Sequence, residues 1–372
     1  MRIVITGGGT GGHVLPALAV AKELEKIFSK KIEILYLGTY QDKKFIPASV
    51  KFKKIFAGKF RRYWLSDFSA FIANIIDLFK IFIGIIQSLY YLAKFKPQVI
   101  FGKGGFVTIP VAIAGWFFKI PVLLHESDSS LGMANKILLP FSKKIAVSFP
   151  LQCYPKLPIN KVIFTGSPIR FSSKELKINK KKAKEAFGFS FNLPLILITG
   201  GSQGSHPINL LIKRILNQLL EESQLLHICG EKDYDDLLKL KQNLPAQFKP
   251  RYKIHKFLKE MNWAYAAADL VISRAGANTL FELAAFGKPA IIIPLPPSVT
   301  SHQIKNAKIF RKEGAIILLR QELLTSQTLL KEIKKLLKDK NLCKTLSKNI
   351  KKFYEPHAAK RIAKELVNLA KK

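Results

Sequence analysis

Acidic residues are scarce in this chain. Its 372 residues hold 25 Asp and Glu against 61 Lys and Arg, a formal net charge of +36. That imbalance calls for an anionic partner: nucleic acid, anionic lipid headgroups or a phosphorylated substrate. Cysteine is nearly absent. Cys153, Cys229 and Cys343 are scattered and odd in number, so no disulfide framework or zinc spacing can be built. Long apolar runs are also lacking. Phe71–Ala93 is interrupted by Asp77 and Lys80, and its uncharged part is about 13 residues against the ~20 that span a bilayer. No membrane span is expected. The apolar run in MRIVITGGG is too short for an export signal. There is no Walker A Gly-Lys-Ser/Thr, no metal-binding Asp-x-Asp cluster stands out, and no RNA- or DNA-binding signature appears. The expectation is therefore no metal, no cofactor and no nucleic-acid partner.

What is present is ample apolar content, 48% of residues, and a repeated pattern. Short apolar runs at Arg2–Thr6, Ile32–Leu37, Val99–Phe101, Pro121–His125 and Lys144–Ser148 alternate with helical periodicity, the first helix running from about Pro16 to Phe28. A Lys-rich, weakly apolar stretch from Phe171 to Asn192 reads as a connection between domains. Then the pattern restarts with Leu195–Thr199, Leu225–Cys229, Tyr252–Lys256, Leu270–Ser273 and Ala290–Pro294. Alternation of this kind predicts an α/β chain with two Rossmann-like parallel sheets. The Phe71–Ala93 helix places its polar residues, Asn74, Asp77, Lys80, Gln87, Ser88 and Lys94, on one stripe. It reads either as a core helix with one wet edge or as a membrane-surface helix. Lys59–Trp64, which interleaves cations with aromatics, favours the surface.

Glycine turns carry the chemistry. Gly7-Gly8-Gly9-Thr10-Gly11-Gly12-His13 joins a strand to a helix, where glycine lets the backbone approach a phosphate and the helix N-terminus offers unpaired N–H groups. No acidic residue closes the second strand after Leu37, which argues against a dinucleotide dehydrogenase. His13 ends the loop, where a neutral imidazole can act as general base or simply bond the loop. Gly102-Lys103-Gly104-Gly105-Phe106 is a second such turn, and His125-Glu126-Ser127-Asp128 ends another strand. In the second half lie Gly200-Gly201-Ser202-Gln203-Gly204-Ser205, then Arg274-Ala275-Gly276-Ala277 with Glu282, and then His302-Gln303. A carboxylate at Glu282 can take two ribose hydroxyls, or be an ordinary helix-surface acid.

GGGTGGHVLPALA, FGKGGF, HE-S-D, GSPIR, GGSQGS, SRAGANTLFELAAFGKPAI and HQIKNA occur in this order along nearly the whole chain. Together they resemble the MurG family of peripheral membrane glycosyltransferases of peptidoglycan synthesis. The resemblance implies a GT-B fold, two Rossmann-like domains facing across a cleft. Residues 1–165 would bind acceptor and membrane, 166–352 the sugar nucleotide, and 353–372 would return to the first domain. It implies inverting transfer of N-acetylglucosamine (GlcNAc) from UDP-GlcNAc to the C4 hydroxyl of the muramoyl sugar in undecaprenyl-pyrophosphoryl-MurNAc-pentapeptide (lipid I), giving lipid II. The implied donor contacts are Thr10, Gly11, Gly12, Asp128, Arg170, Ser202, Gln203, Leu258, Arg274, Ala277, Glu282, His302 and Gln303. The acceptor pyrophosphate would meet Gly9, Gly12, His13, Gly104 and Gly105, with His13, Asp128 and Glu126 catalytic. Further implied partners are an anionic membrane through residues 59–94, on the cytoplasmic face, and a cell-wall synthesis complex.

The chain departs from the family at one strand end, where His-Glu-Gln-Asn is common and His125-Glu126-Ser127-Asp128 stands here. An amide becomes an acceptor-only carboxylate, so Asp128 joins His13 as a base candidate. A GT-B transferase with another lipid acceptor, or a UDP-sugar epimerase, remains the alternative.

Overall fold

The computed structural model describes residues 1–9, 11–28, 31–58, 68–201 and 203–371, with side chains of 68–71 excepted. The chain divides into two compact units, Met1–Arg170 with Glu355–Lys372, and Phe171–Tyr354.

The first unit runs β1 (Arg2–Thr6), α1 (Gly11–Ile27), β2 (Glu33–Gly38), β3 (Lys51–Lys54), α2 (Phe68–Phe95), β4 (Val99–Gly102), α3 (Thr108–Phe117), β5 (Val122–Glu126), α4 (Met133–Leu138), β6 (Lys144–Val147) and β7 (Val162–Phe164). Every strand pair is parallel, in the order β3-β2-β1-β4-β5-β6-β7. The central strands are buried on both faces, which is why they read as unbroken apolar runs. The second unit holds α5 (Lys180–Ala186), β8 (Leu195–Thr199), α6 (His206–Glu222), β9 (Gln224–Ile228), α7 (Glu231–Gln242), β10 (Tyr252–His255), α8 (Met261–Ala267), β11 (Leu270–Ser273), α9 (Ala277–Phe286), β12 (Ala290–Ile292), α10 (Ser301–Lys312), β13 (Ile317–Leu318), α11 (Ser326–Lys338) and α12 (Lys340–Lys351). Its parallel sheet has the order β10-β9-β8-β11-β12-β13. The last helix, α13 (Ala358–Ala370), seals the first unit by packing Ile362, Ala363, Leu366 and Leu369 against α1 and β4. Two Rossmann-like α/β units of this kind are the components of the GT-B class.

Three expectations change. First, α1 begins at Gly11, not near Pro16, so His13 lies in the first helical turn rather than at the end of a loop. Pro16 lies inside α1 with its ring buried, and it removes the N–H bond to the carbonyl four residues back. Second, the Lys-rich stretch from Phe171 is not a free connection. Lys184 of α5 is buried, donating to the Leu193 carbonyl at 2.7 Å and pairing with Asp269 at 2.9 Å. Asp269 also accepts from Leu195 N–H at 2.9 Å, so this segment is pinned to the first strand of the second sheet.

Third, α2 is inverted. Its polar stripe faces the protein: Asn74, Asp77 and Ser88 are 8%, 5% and 0% exposed, whereas Leu78, Phe79 and Phe82 are 63%, 65% and 62% exposed. The reading of a core helix with one wet edge is therefore overturned. Close backbone approach sets this orientation. A Cβ on Gly84 would collide with the Phe56 carbonyl, one on Gly58 with the Asp77 carbonyl, and Gln87 accepts from Phe56 N–H at 2.8 Å. Ile72–Phe95 is, by length and composition, long and apolar enough to cross a membrane, contrary to the shorter reading of this run. Its packing against the unit along one face is that of a helix lying on a domain.

Candidate functional sites

In an open parallel sheet, ligands bind beyond the carboxyl ends of the strands, where the strand order reverses. In the first sheet that point lies between β1 and β4, and in the second between β8 and β11. Each glycine turn of the sequence follows one of these four strands.

In the first unit the turns after β1 and β4 interlock. Lys103 N–H donates to the Thr6 carbonyl at 2.8 Å. A Cβ on Gly7 would come within 2.8 Å of the Lys103 Cβ, and one on Gly9 within 2.9 Å of the Phe106 ring. One on Gly105 would lie 3.1 Å from the Gly8 carbonyl and 3.4 Å from the His13 Nε2. Only glycine permits this close approach, and the conformation of Gly9 (φ +88°) and Gly104 (φ +86°) also favours it.

Asp42 holds the first turn from behind. Its carboxylate accepts from Gly9 N–H at 3.0 Å, Thr39 N–H at 2.7 Å and Thr39 Oγ1 at 2.8 Å. A Cβ on Gly8 would collide with it. Tyr36 hydroxyl donates to the Gly7 carbonyl. Sequence reading found no acid after β2, because Asp42 lies four residues beyond the strand in a short 3-10 turn. The available signal was Thr39-x-x-Asp42, a capping box. Buried and already triply bonded, Asp42 supports the turn instead of reaching out to a ribose.

Beside these turns sits a cluster of charge. His13 is pushed down to about 4 by burial and the Lys103 ammonium, so it is neutral at physiological pH. Its Nδ1 has no hydrogen-bond partner among the described residues. Lys103 is buried, donates to Ser127 Oγ, and is lowered to about 8 by burial against the pull of Glu126 and Asp128. Glu126 is raised to about 7 by burial and by the neighbouring Asp128 charge. Its two oxygens accept from Asp128 N–H at 3.0 Å, Gly132 N–H at 2.8 Å and Asn135 Nδ2 at 2.9 Å. That geometry makes Glu126 the organiser of the loop after β5. Asp128 is half-buried, its carbonyl accepting from Tyr154 hydroxyl at 2.6 Å. Of the expected acceptor residues, Gly9, Gly12, His13, Gly104 and Gly105 are brought together with Asp128 in this unit. Asn135 and Tyr154 went unnoticed in the sequence because nothing local marks them. Gly11 opens α1, Thr10 lies outside the described residues, and Arg170 ends the unit, half-buried.

In the second unit, the turn Gly200–Ser205 leads into α6, whose N-cap is Ser205. A Cβ on Gly204 would collide with the Cys229 carbonyl, and one on Gly200 with Ser205 N. Gly201 has φ +87° with nothing within 4 Å of a Cβ, so its outer side is open. Ser205 Oγ is buried with no partner among the described residues. Gln203 is exposed and Ser202 lies outside the described residues.

The turn after β11 opens α9 at Ala277. Glu282 is buried in α9 and accepts from Tyr265 hydroxyl at 3.1 Å, so it is no ordinary surface acid. Leu258 is buried between β10 and α8, and His302 and Gln303 occupy the first turn of α10. Gln303 Oε1 accepts from Leu295 N–H at 3.0 Å, which fixes the orientation of its side-chain amide. Arg274 is engaged by the neighbouring loop. Its guanidinium donates to the carbonyls of Ile293 and Pro294 at 3.0 and 3.2 Å and to Gln321 Oε1 at 2.6 Å. Burial lowers it to about 10. Arg274 thus braces the loop after β12. Asp233-Tyr234-Asp235 has Asp-x-Asp spacing that the sequence reading passed over. On α7 it is no metal pair, since Asp233 bonds His206 and Asn209 while Asp235 is exposed. The Lys59–Trp64 segment lies outside the described residues.

Residues 3–147 match the glycosyltransferase family 28 N-terminal domain, and 195–364 match its C-terminal domain. The chain is 39% identical over 351 residues to a Bacillus cereus UDP-N-acetylglucosamine--N-acetylmuramyl-(pentapeptide) pyrophosphoryl-undecaprenol N-acetylglucosamine transferase, covering 93% of this chain and 94% of that protein. The crystal structure of Acinetobacter baumannii MurG superposes with a TM-score of 0.73 at 25% identity, over 99% of both chains. A Neisseria meningitidis UDP-GlcNAc 2-epimerase shares the fold with a TM-score of 0.72 at 15% identity, covering 99% of this chain and 100% of that one.

Proposed function

The chain belongs to glycosyltransferase family 28, and from that premise we propose that it transfers GlcNAc from UDP-GlcNAc to the muramoyl C4 hydroxyl of lipid I, forming lipid II in peptidoglycan synthesis. The observation that carries this reading is the pair of interlocking or cradled glycine turns, each at the reversal point of its own parallel sheet. In the step, the C4 oxygen attacks the anomeric carbon, the bond to UDP breaks with inversion, and a base accepts the hydroxyl proton.

The donor half is assigned to the second unit. Backbone N–H groups of Gly200–Ser205 and the start of α6 take the diphosphate, where negative charge develops as UDP leaves. Glu282 takes the ribose hydroxyls, the backbone at Leu258 the uracil, and His302 with Gln303 the sugar. The acceptor pyrophosphate falls to the turns after β1 and β4.

His13 is our base, with Asp128 the other candidate. Held neutral, His13 has a lone pair available, but a group near 4 is a weak base. A pyrophosphate arriving beside it would favour the imidazolium and raise its basicity when the substrate is bound. We assign Asp128 the same influence in a weaker form, since its charge already opposes the burial of His13.

We further infer peripheral attachment to the cytoplasmic face of an anionic membrane, where a cell-wall synthesis complex would be met. The exposed apolar face of α2, continued by Trp116 and Phe117 at the end of α3 and by Phe118 just after it, supports this, as does the excess of cations. The decisive assay supplies radiolabelled UDP-GlcNAc with lipid I, or alone. Label in the lipid fraction only with lipid I is expected. UDP release or epimerisation without lipid would refute the transferase reading in favour of an epimerase.

A further inference from the structure

One buried polar network is used by none of the roles above. Tyr252 on β10, His227 on β9, Asn209 on α6 and Asp233 on α7 form a continuous hydrogen-bonded chain. Tyr252 hydroxyl meets His227 Nδ1 at 2.9 Å, and His227 Nε2 meets Asn209 Oδ1 at 2.9 Å. Asn209 Nδ2 reaches Asp233 Oδ2 at 2.6 Å and the Cys229 carbonyl at 2.9 Å. His206, exposed at the start of α6, closes on Asp233 Oδ1 at 2.6 Å.

The direction of every bond follows from its ends. Asp233 as a carboxylate and Cys229 as a carbonyl only accept, so both Asn209 amide protons point to them and Oδ1 must accept. His227 therefore donates from Nε2, and its Nδ1 accepts from the tyrosine hydroxyl. Burial holds His227 neutral, at about 3, as that arrangement requires. Every member is satisfied, and a fully satisfied buried network fixes one arrangement.

Its output is the Cys229 carbonyl. The same oxygen that Asn209 grips is the atom a Cβ on Gly204 would strike, and a Cβ on Gly230 would in turn collide with the Gln203 carbonyl. The turn Gln203-Gly204 is thus pressed against Cys229-Gly230, and the position of that ledge sets how deep the turn sits. Without the Asn209 amide, the Cys229 carbonyl loses the side-chain hydrogen bond that holds it, while the turn itself keeps its glycines.

We propose that Asn209, oriented by Asp233 and His227, is a positioning residue that sets the register of the Gly200–Ser205 turn for a nucleoside diphosphate. The proposal rests on the assignment of the donor diphosphate to that turn. It predicts an effect on diphosphate affinity that a loss of stability alone would not give, because a displacement near 1 Å in such a site is felt strongly.

The test is UDP binding by calorimetry on the full-length protein, with thermal melting alongside. Asn209→Ala should weaken UDP about tenfold or more while the KM for the lipid acceptor stays unchanged. Asp233→Ala should weaken it similarly. Asp233→Asn keeps an oxygen for the Asn209 amide and should restore affinity to within about threefold. Unchanged UDP affinity in Asn209→Ala and Asp233→Ala, in folded protein, overturns the proposal, as does failure of Asp233→Asn to rescue. If Asn209→Ala does not fold, the two Asp233 variants decide between these outcomes. If the wild-type protein itself binds no UDP, the donor assignment has failed beneath the proposal.

Discussion

Replacing Phe79 and Phe82 together by serine isolates what the outward face of α2 contributes to membrane binding. Both rings are about two-thirds exposed, so the membrane would bury surface that folding has left in water. Full burial of a Phe side chain is worth about 1.5–3 kcal/mol, which scales to roughly 1–2 kcal/mol for each ring here and about 2–4 kcal/mol for the pair. At 1.4 kcal/mol per tenfold, the partition coefficient should fall by roughly thirtyfold to a thousandfold. The assay is co-sedimentation with neutral phosphatidylcholine vesicles, where charge contributes little. Melting temperature should barely move, since surface substitutions away from contacts usually cost under about 0.5 kcal/mol. Equal partitioning of the double variant and the wild type would refute the reasoning and leave charge as the anchor. Salt supplies the complement. On anionic vesicles, raising ionic strength should release a part of the protein that the neutral-vesicle experiment never held.

Other expectations concern the sites and their titration. Gly204→Ala should abolish UDP binding and destabilise the second unit by at least about 1–2 kcal/mol, because the left-handed backbone (φ +76°) and a backbone obstacle both resist the methyl group; normal binding and melting would contradict the cradle. His13→Ala should lower kcat by roughly a hundredfold or more with donor KM little changed; an unaltered kcat would pass the base role to Asp128. His227 is held at about 3 against 6.5 unfolded, so the unfolded chain binds its proton first as pH falls. Wild-type stability from this group is intact above pH 6.5 and declines toward pH 3. The stability gap between wild type and His227→Gln should therefore narrow by roughly 2–3 kcal/mol between pH 7 and 4.5, and parallel denaturation curves at the two pH values would exclude it.

The central strands were legible because burial on both faces leaves an apolar run with no polar alternation. Leu195–Thr199 and Leu270–Ser273 were read to the residue. The missed strands are sheet edges: Lys51–Lys54 pairs its charged run with β2, Val162–Phe164 has three residues, and Ile317–Leu318 has two. Such strands owe their existence to a neighbour already in place, which no local pattern records. Glycine turns announced both sites, since few other reasons put so many glycines between a strand and a helix. What escaped were the residues behind them. Asp42 and Asn209 act by hydrogen bonds to backbone from across the fold, and the carbonyl partners of Arg274 lie about 20 residues further along the chain. Periodicity also marked the two faces of α2 correctly but could not say which one met the protein.

That inversion reverses the usual ledger of tolerated change. Along most helices, polar positions drift and apolar ones are held. On α2, exchange among leucine, isoleucine and phenylalanine at positions 78, 79 and 82 changes mostly exposed surface, whereas a single methyl on Gly84 or the loss of the Gln87 oxygen that accepts from Phe56 N–H disturbs the docking of the whole helix. A library of α2 variants selected only for folding should therefore conserve its small and polar residues and scramble its greasy ones. Selection for growth on top of folding would then hold the greasy face apolar without fixing its identity.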